Sequence, residues 1–181
     1  SICPFLDPQI AKGLQSSLKN QGLDFHISVK VKSSKLSKSG VELIAESKDG
    51  EEHGFKAEKV LVAIGRKAFH EGLGLESAKV ELTKERKVQI NGSFKTSQSH
   101  IFAIGDLVDG PMLAHKASEE AVACAEIISG LKPKLNYMAI PSVIYTSPEV
   151  ACIGLTEKEA KEENLEVLVG KFPFKANSRA L

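Results

Sequence analysis

The sequence predicts an α/β fold that turns α+β towards its C-terminal end, and three observations carry that expectation. A helix signal near the start feeds a series of strand-like segments; a short apolar run ends in Gly105-Asp106 and leads through a Gly-Pro turn into a second helix; and beyond Pro133 short strands alternate with an acidic helix. With 181 residues and 42% hydrophobic content, the chain is long enough to bury a core in one or two domains.

After Pro4 and Asp7-Pro8, the apolar residues Ile10, Leu14 and Leu18 recur at helical spacing, and Asn20-Gln21-Gly22 supplies a stop. Phe25 to Lys32, Gly40 to Ser47 and Gly54 to Ile64 read as strands separated by Ser/Lys and Asp-Gly turns, the first two as members of a hairpin or small sheet. Inside the third, Lys59 to Ile64 is apolar enough for a buried strand running into a turn at Gly65. The GLGLES stretch reads as a turn and short helical segment, and Val88, Ile90 and Phe94 with Asn91-Gly92 read as a hairpin.

Ile101 to Ile104 reads as another strand buried on both faces, and the next helix spans Pro111 to Gly130, with proline at its favoured opening position. That helix is rich in alanine (Ala114, Ala117, Ala121, Ala123, Ala125), which permits close approach to a sheet or ligand. Ser142 to Thr146, Ala151 to Leu155 and Glu166 to Phe172 read as strands around an acidic helix, whose Thr156 and Glu159 form a capping box.

Charge is nearly balanced, at 24 basic and 23 acidic residues, and no basic block is dense enough to imply nucleic acid; the lysines from Lys30 to Lys38 read as a solvated strand edge and turn. Cys3, Cys124 and Cys152 are an odd number, widely spaced and without a C-x-x-C arrangement, so neither a metal site nor an internal redox pair is expected and a reducing, intracellular setting is. Cys124 reads as a buried thiol in a small-residue helix. No apolar run approaches a membrane span, and SICPFLDP lacks the form of a signal peptide.

The segment Thr96 to Lys116, TSQSHIFAIGDLVDGPMLAHK, concentrates the chemistry. Glycine at the carboxyl end of a buried strand allows close approach of a ligand, and the adjoining Asp106 carboxylate can accept hydrogen bonds from a polyol. The N–H groups of Met112, Leu113 and Ala114, at the helix opening, would present the positive end of the dipole to an anion or electron-rich ring. The plainer alternative is that Asp106 starts a turn and Asp109 caps the helix. A helix feeding strands that finish at Gly65 also matches the second half of a nucleotide-binding α/β unit, although no G-x-G-x-x-G precedes that helix.

TSQSHIFAIGD resembles the second flavin-binding motif of the two-dinucleotide-fold disulfide reductases, and GPMLAHKA, PSVIYTSPEVACIGLTE and KFPFKANSRA are similar to the dihydrolipoamide dehydrogenase family among them. The resemblance runs through essentially the whole chain and covers only the middle of the family's length. It implies incomplete pieces of two Rossmann-like FAD and NAD domains followed by the start of an α+β interface domain: residues 1–69 from the NAD domain, 70–137 from the FAD domain, and 138–181 from the dimerisation domain.

By the same resemblance Asp106, Met112, Leu113, Ala114 and His115 contact FAD, with the helix opening against the pyrimidine edge of the isoalloxazine, and Val31 and Gly65 line the NAD pocket. Read without it, Val31 is an ordinary core residue, Gly65 a strand terminus, and Arg66 either a phosphate ligand or a surface arginine. The family's activity is oxidation of protein-bound dihydrolipoamide through a cysteine disulfide and FAD to NAD, in a homodimer that serves the lipoyl domains of 2-oxoacid dehydrogenase complexes in the bacterial cytoplasm or mitochondrial matrix. The family's redox cysteines lie upstream of the matched region and its His–Glu base downstream. The chain is therefore expected to be an internal piece with no catalytic residue of its own and no turnover alone. A free-standing flavin-binding or interface module is the alternative class, and a sibling such as glutathione or mercuric reductase the alternative within it.

Overall fold

Three helices form where their caps are written. In the computed structural model, which describes residues 1–179, α1 (Pro8–Asn20) buries Ala11 and Leu14, α2 spans Ala114–Ile128, and α3 spans Glu157–Glu162. All three end in the same device. Gly22, Gly130 and Asn164 take left-handed φ values of +98°, +86° and +57°. The following N–H groups of Leu23, Leu131 and Leu165 then return to the carbonyls of Leu18, Glu126 and Ala160 at 3.1, 2.9 and 2.9 Å. The expected capping box opens α3: Thr156 Oγ1 accepts from the Glu159 N–H at 3.2 Å, and the Thr156 N–H donates to Glu159 Oε2 at 2.8 Å.

The chain divides into two units, Ser1–Phe25 with Val143–Leu181 and His26–Ser142. In the first, β4 (Ser142–Ile144) and β5 (Val150–Cys152) form a two-stranded sheet, and the Asp7 carboxylate, just ahead of α1, accepts from the Glu157 N–H at 3.0 Å. In the second, β1 (Lys30–Ser37), β2 (Gly40–Glu46) and β3 (Glu52–Ala57) make an antiparallel meander with Ser37 opposite Gly40. The expected first pairing is thus present, but its outer strand lies five residues later than Phe25 to Lys32, on the lysine-rich stretch. Every residue of β1 is exposed, which suits an edge strand defended by lysine charge.

After β3 the chain reverses repeatedly through short ladders. Leu82 bridges Val88 and Lys95 bridges Phe102. The first reversal closes at Thr83–Lys87 (2.7 Å), and the second turns on Asn91, whose Oδ1 accepts from the Ser93 and Lys95 N–H groups. Val80, Val88 and Val108 form one buried cluster with Ile101, Ala103 and Leu107 around it. Phe94, Ala123 and Cys124 form another with Phe102, Ile104 and Ile127, so the ladders pack directly on α2.

Four expectations need correction. Lys59 to Ile64 is not a strand: Leu61 and Ile64 are 89% and 95% exposed, because the segment pairs with no strand among the described residues and a buried strand cannot exist without flanking partners. Glu166 to Phe172 stays unpaired for the same reason, with Leu168 fully exposed. Ile101 to Ile104 is half-buried and joined by one bridge rather than enclosed in a sheet. The second helix opens at Ala114, not Pro111, with a cause given below. Ala180, the last residue of the KFPFKANSRA motif, lies outside the described residues.

Among the described residues no helix is long and apolar enough to cross a membrane, and no group of three or more His, Cys, Asp or Glu side chains could hold a metal. All three cysteines are free; Cys124 is buried, and burial pushes its thiol pKa up.

Candidate functional site

The loop between the last ladder and α2 begins on Thr96, a buried residue whose hydroxyl donates to the Gln98 carbonyl and accepts from the Gln98 N–H at 3.2 and 3.1 Å. This turn aims residues 101–104 back alongside Phe94, whose carbonyl accepts the Ala103 N–H at 3.0 Å. The chain then tightens into a single 3-10 turn, Gly105–Leu107. Gly105 is buried at φ +71°, and a Cβ there would stand 3.2 Å from the Ala117 Cβ. Glycine is required at that position both for the backbone angle and for the close approach of α2.

Beneath this turn lies a buried ion pair that sequence reasoning missed. Lys116 and Glu120, one helical turn apart on α2, are 0% and 1% exposed and meet at 3.0 Å. Lys116 Nζ also donates to the carbonyls of Gly105 and Asp109, each at 3.2 Å. Glu120 Oε2 accepts the Gly105 N–H at 2.7 Å, and its Oε1 accepts the Tyr137 hydroxyl at 2.9 Å. Burial first, then the hydrogen bond and charge of Glu120, push the Tyr137 phenol up to about 12, so the phenol stays a proton donor. Gly110 makes room for the lysine stem: a Cβ there would come within 3.1 Å of Lys116 Cε.

Because the loop from 105 to 110 wraps around the Lys116 side chain, Met112 and Leu113 stay outside the helix. Leu113 is the N-cap at φ −125° and ψ 130°, with no side-chain cap, and its own N–H turns back to the Pro111 carbonyl at 3.1 Å. The first helical bond runs from the Ala117 N–H to the Leu113 carbonyl. The donors facing out of the helix mouth are therefore those of Ala114, His115 and Lys116, not the expected trio of Met112, Leu113 and Ala114. They carry the positive end of the helix dipole.

Asp106 and the segment Met112 to His115 thus flank one glycine-hinged loop. Asp106 is exposed and, among the described residues, its carboxylate makes no hydrogen bond or ion pair; Asp109, the alternative helix cap, instead meets Lys87 Nζ at 3.3 Å. The His115 ring is bonded through Nε2 to the Pro141 carbonyl at 2.6 Å, which requires the proton on Nε2. Met112 shares a cavity of about 390 Å³ with Arg66, Lys67, His70 and the cations of residues 84–87. Val31 is 58% exposed on β1 and is no core residue. Gly65 ends the exposed apolar run at φ +121°, with open space where a Cβ would stand. A larger cavity, about 730 Å³, lies in the other unit along residues 165–173 and includes none of the expected site residues.

A carboxylate without a partner among the described residues, beside a close-approach glycine and next to an uncapped helix mouth, can accept hydrogen bonds from hydroxyl groups and face an anion. Comparison with known proteins shows the family. Residues 1–121 match the sequence profile described as pyridine nucleotide-disulphide oxidoreductase, and residues 140–181 that of the same family's dimerisation domain. The chain is 46% identical over 180 residues to mitochondrial dihydrolipoyl dehydrogenase of Pisum sativum and 47% identical over 180 residues to dihydrolipoyl dehydrogenase 3 of Pseudomonas putida. Each alignment takes in 99% of this chain but 36% and 38% of the relative, so the chain spans little more than a third of their length. LpdA from Mycobacterium tuberculosis has the same fold, with a TM-score of 0.85 at 21% identity over 98% of this chain and 38% of that one. With the profile covering well over half of its residues, the chain belongs to the pyridine nucleotide-disulphide oxidoreductase family.

Proposed function

We propose that this chain is the part of a dihydrolipoyl dehydrogenase that holds the flavin's ribityl and pyrimidine side and begins the dimer interface. The observation that carries the reading is the Asp106 carboxylate, without a partner among the described residues, beside the uncapped first turn of α2. FAD, when bound, supplies the electron relay between a dithiol and NAD. Asp106 accepts hydrogen bonds from the polyol, and the N–H groups of Ala114, His115 and Lys116 favour negative charge at the ring edge by about 0.3–1 kcal/mol, more in a buried site. Met112, Leu113 and His115 border that edge; the Pro141 carbonyl fixes the His115 ring, which acts as a wall rather than as an acid or base.

Residues 1–69 contribute to an NAD domain, in which Val31 and the turn at Gly65 line the nucleotide pocket, residues 70–137 to the FAD domain, and residues 138–181 to the interface of a homodimer. The match of 140–181 to a dimerisation domain supports the last assignment. The substrate is the dihydrolipoyl group of a 2-oxoacid dehydrogenase complex, in a bacterial cytoplasm or a mitochondrial matrix; relatives of both bacterial and mitochondrial type support that reading. The three cysteines are free and form no disulfide with one another, and on this reading residues 1–181 alone are inactive.

Steady-state assay with dihydrolipoamide and NAD tests this. The full-length protein is expected to reduce NAD and the isolated 181-residue chain to show no turnover. Activity of the isolated chain, or a full-length protein that uses glutathione and not lipoamide, would overturn the assignment.

A further inference from the structure

The side chains of Lys116 and Glu120 bear on the proposed flavin site through the backbone of the loop before the helix, chiefly that of Gly105. Glu120 takes the N–H of that residue at 2.7 Å and Lys116 its carbonyl at 3.2 Å, so the peptide units on both sides of Gly105 are held from one helix face. A third bond, from Lys116 Nζ to the Asp109 carbonyl at 3.2 Å, fastens the far side of the same loop. Tyr137, well beyond the helix, fixes the second oxygen of Glu120 at 2.9 Å and so prevents the carboxylate from rotating away.

Nothing in this arrangement faces a ligand directly: the pair is 0% and 1% exposed, whereas Asp106 is exposed. Plain core packing does not account for a lysine here, since an apolar side chain would fill the same space without burying a charge. What the pair adds is direction. One end accepts and the other donates, matching the N–H and C=O of Gly105, whose glycine φ of +71° would otherwise leave the turn free to relax.

We propose that Lys116 and Glu120, braced by Tyr137, are positioning residues that set the Asp106 carboxylate in register with the first turn of α2. The effect of these side chains on the flavin passes through the loop backbone that carries Gly105 and Asp106. The inference rests on the flavin reading given above, and the test separates the two.

The test uses the full-length protein and two readouts: the flavin dissociation constant, and hydrogen exchange at the Gly105 amide. Lys116→Met is expected to raise the flavin dissociation constant roughly 10-fold and Tyr137→Phe about 3-fold, the range of one strong and one ordinary hydrogen bond. Both should speed exchange at Gly105. Asp106→Asn should weaken flavin strongly in the native background and roughly 10-fold less on top of Lys116→Met, because a misplaced carboxylate has less to lose. Equal losses in the two backgrounds would show that the pair only supports the fold, and the positioning role would fall while the flavin site stood. No loss from Asp106→Asn in the native background would remove the flavin reading and this inference with it. Should Lys116→Met not fold, the same cycle with Tyr137→Phe decides: a coupled loss supports the role and an additive one refutes it.

Discussion

Lys116 and Glu120 show how one spacing can carry two meanings. A lysine and a glutamate at i and i+4 in a helix are ordinarily an exposed pair worth a few tenths of a kcal/mol, yet these two are enclosed, and removing one partner of such a pair costs about 3–5 kcal/mol. Burial depends on what the loop before the helix does, and no local pattern reports that. The same cause moved the open donors from Met112 and Leu113 to His115 and Lys116, while Gly105 and Asp106 lie in the 3-10 turn that follows residues 101–104. Tyr137 supplies a direct check at this scale. A phenol raised from 10.0 to about 12 in the folded protein contributes stability that is fully present below pH 10 and lost as pH rises towards 12, since the folded state there holds a proton that the unfolded state has released. Denaturant titrations of the native protein and of Tyr137→Phe should therefore differ by a constant amount up to about pH 10 and converge above it; a difference that persists unchanged to pH 12 would mean the phenol does not need its proton.

Helices and strands were not equally legible, for a physical reason. A helix satisfies its own backbone, so its ends can be written locally: Gly22, Gly130 and Asn164 stop three helices, and Thr156 with Glu159 opens one. A strand needs a neighbour. Lys59 to Ile64 and Glu166 to Phe172 have strand composition but no partner among the described residues, and they remain unpaired. β1 shows the converse, since a lysine-rich stretch with little apolar content pairs because β2 offers it an edge. The α3 capping box gives the prediction at this scale. Thr156→Ala should destabilise the helix by about 1 kcal/mol. The Thr156 backbone N–H, then its hydroxyl, hold the Glu159 carboxyl below its usual 4.5. Its stabilising effect is therefore present above pH 4.5 and is lost as pH falls through the lower folded value. The Thr156 and Glu159 amide signals in NMR spectra should shift together on acidification; independent movement would deny the reciprocal bonding.

For the whole molecule, on the proposed reading the chain supplies one side of a nucleotide site and the opening of an interface, while its exposed apolar segments, Leu61 to Ile64 and Val167 to Val169, have no cover among the described residues. The α/β character was readable because helix signals and turn residues survive in a partial domain; the enclosure of strands was not, because it belongs to the sheet and not to the segment. Function at this scale depends on whether the Asp106 carboxylate bears on a flavin at all. The most direct measurement is the flavin dissociation constant of the full-length protein before and after Asp106→Ala. A weakening of about 2–3 kcal/mol, the worth of charged hydrogen bonds to a polyol, is the expected result; an unchanged constant, with full flavin content after purification, would contradict the account.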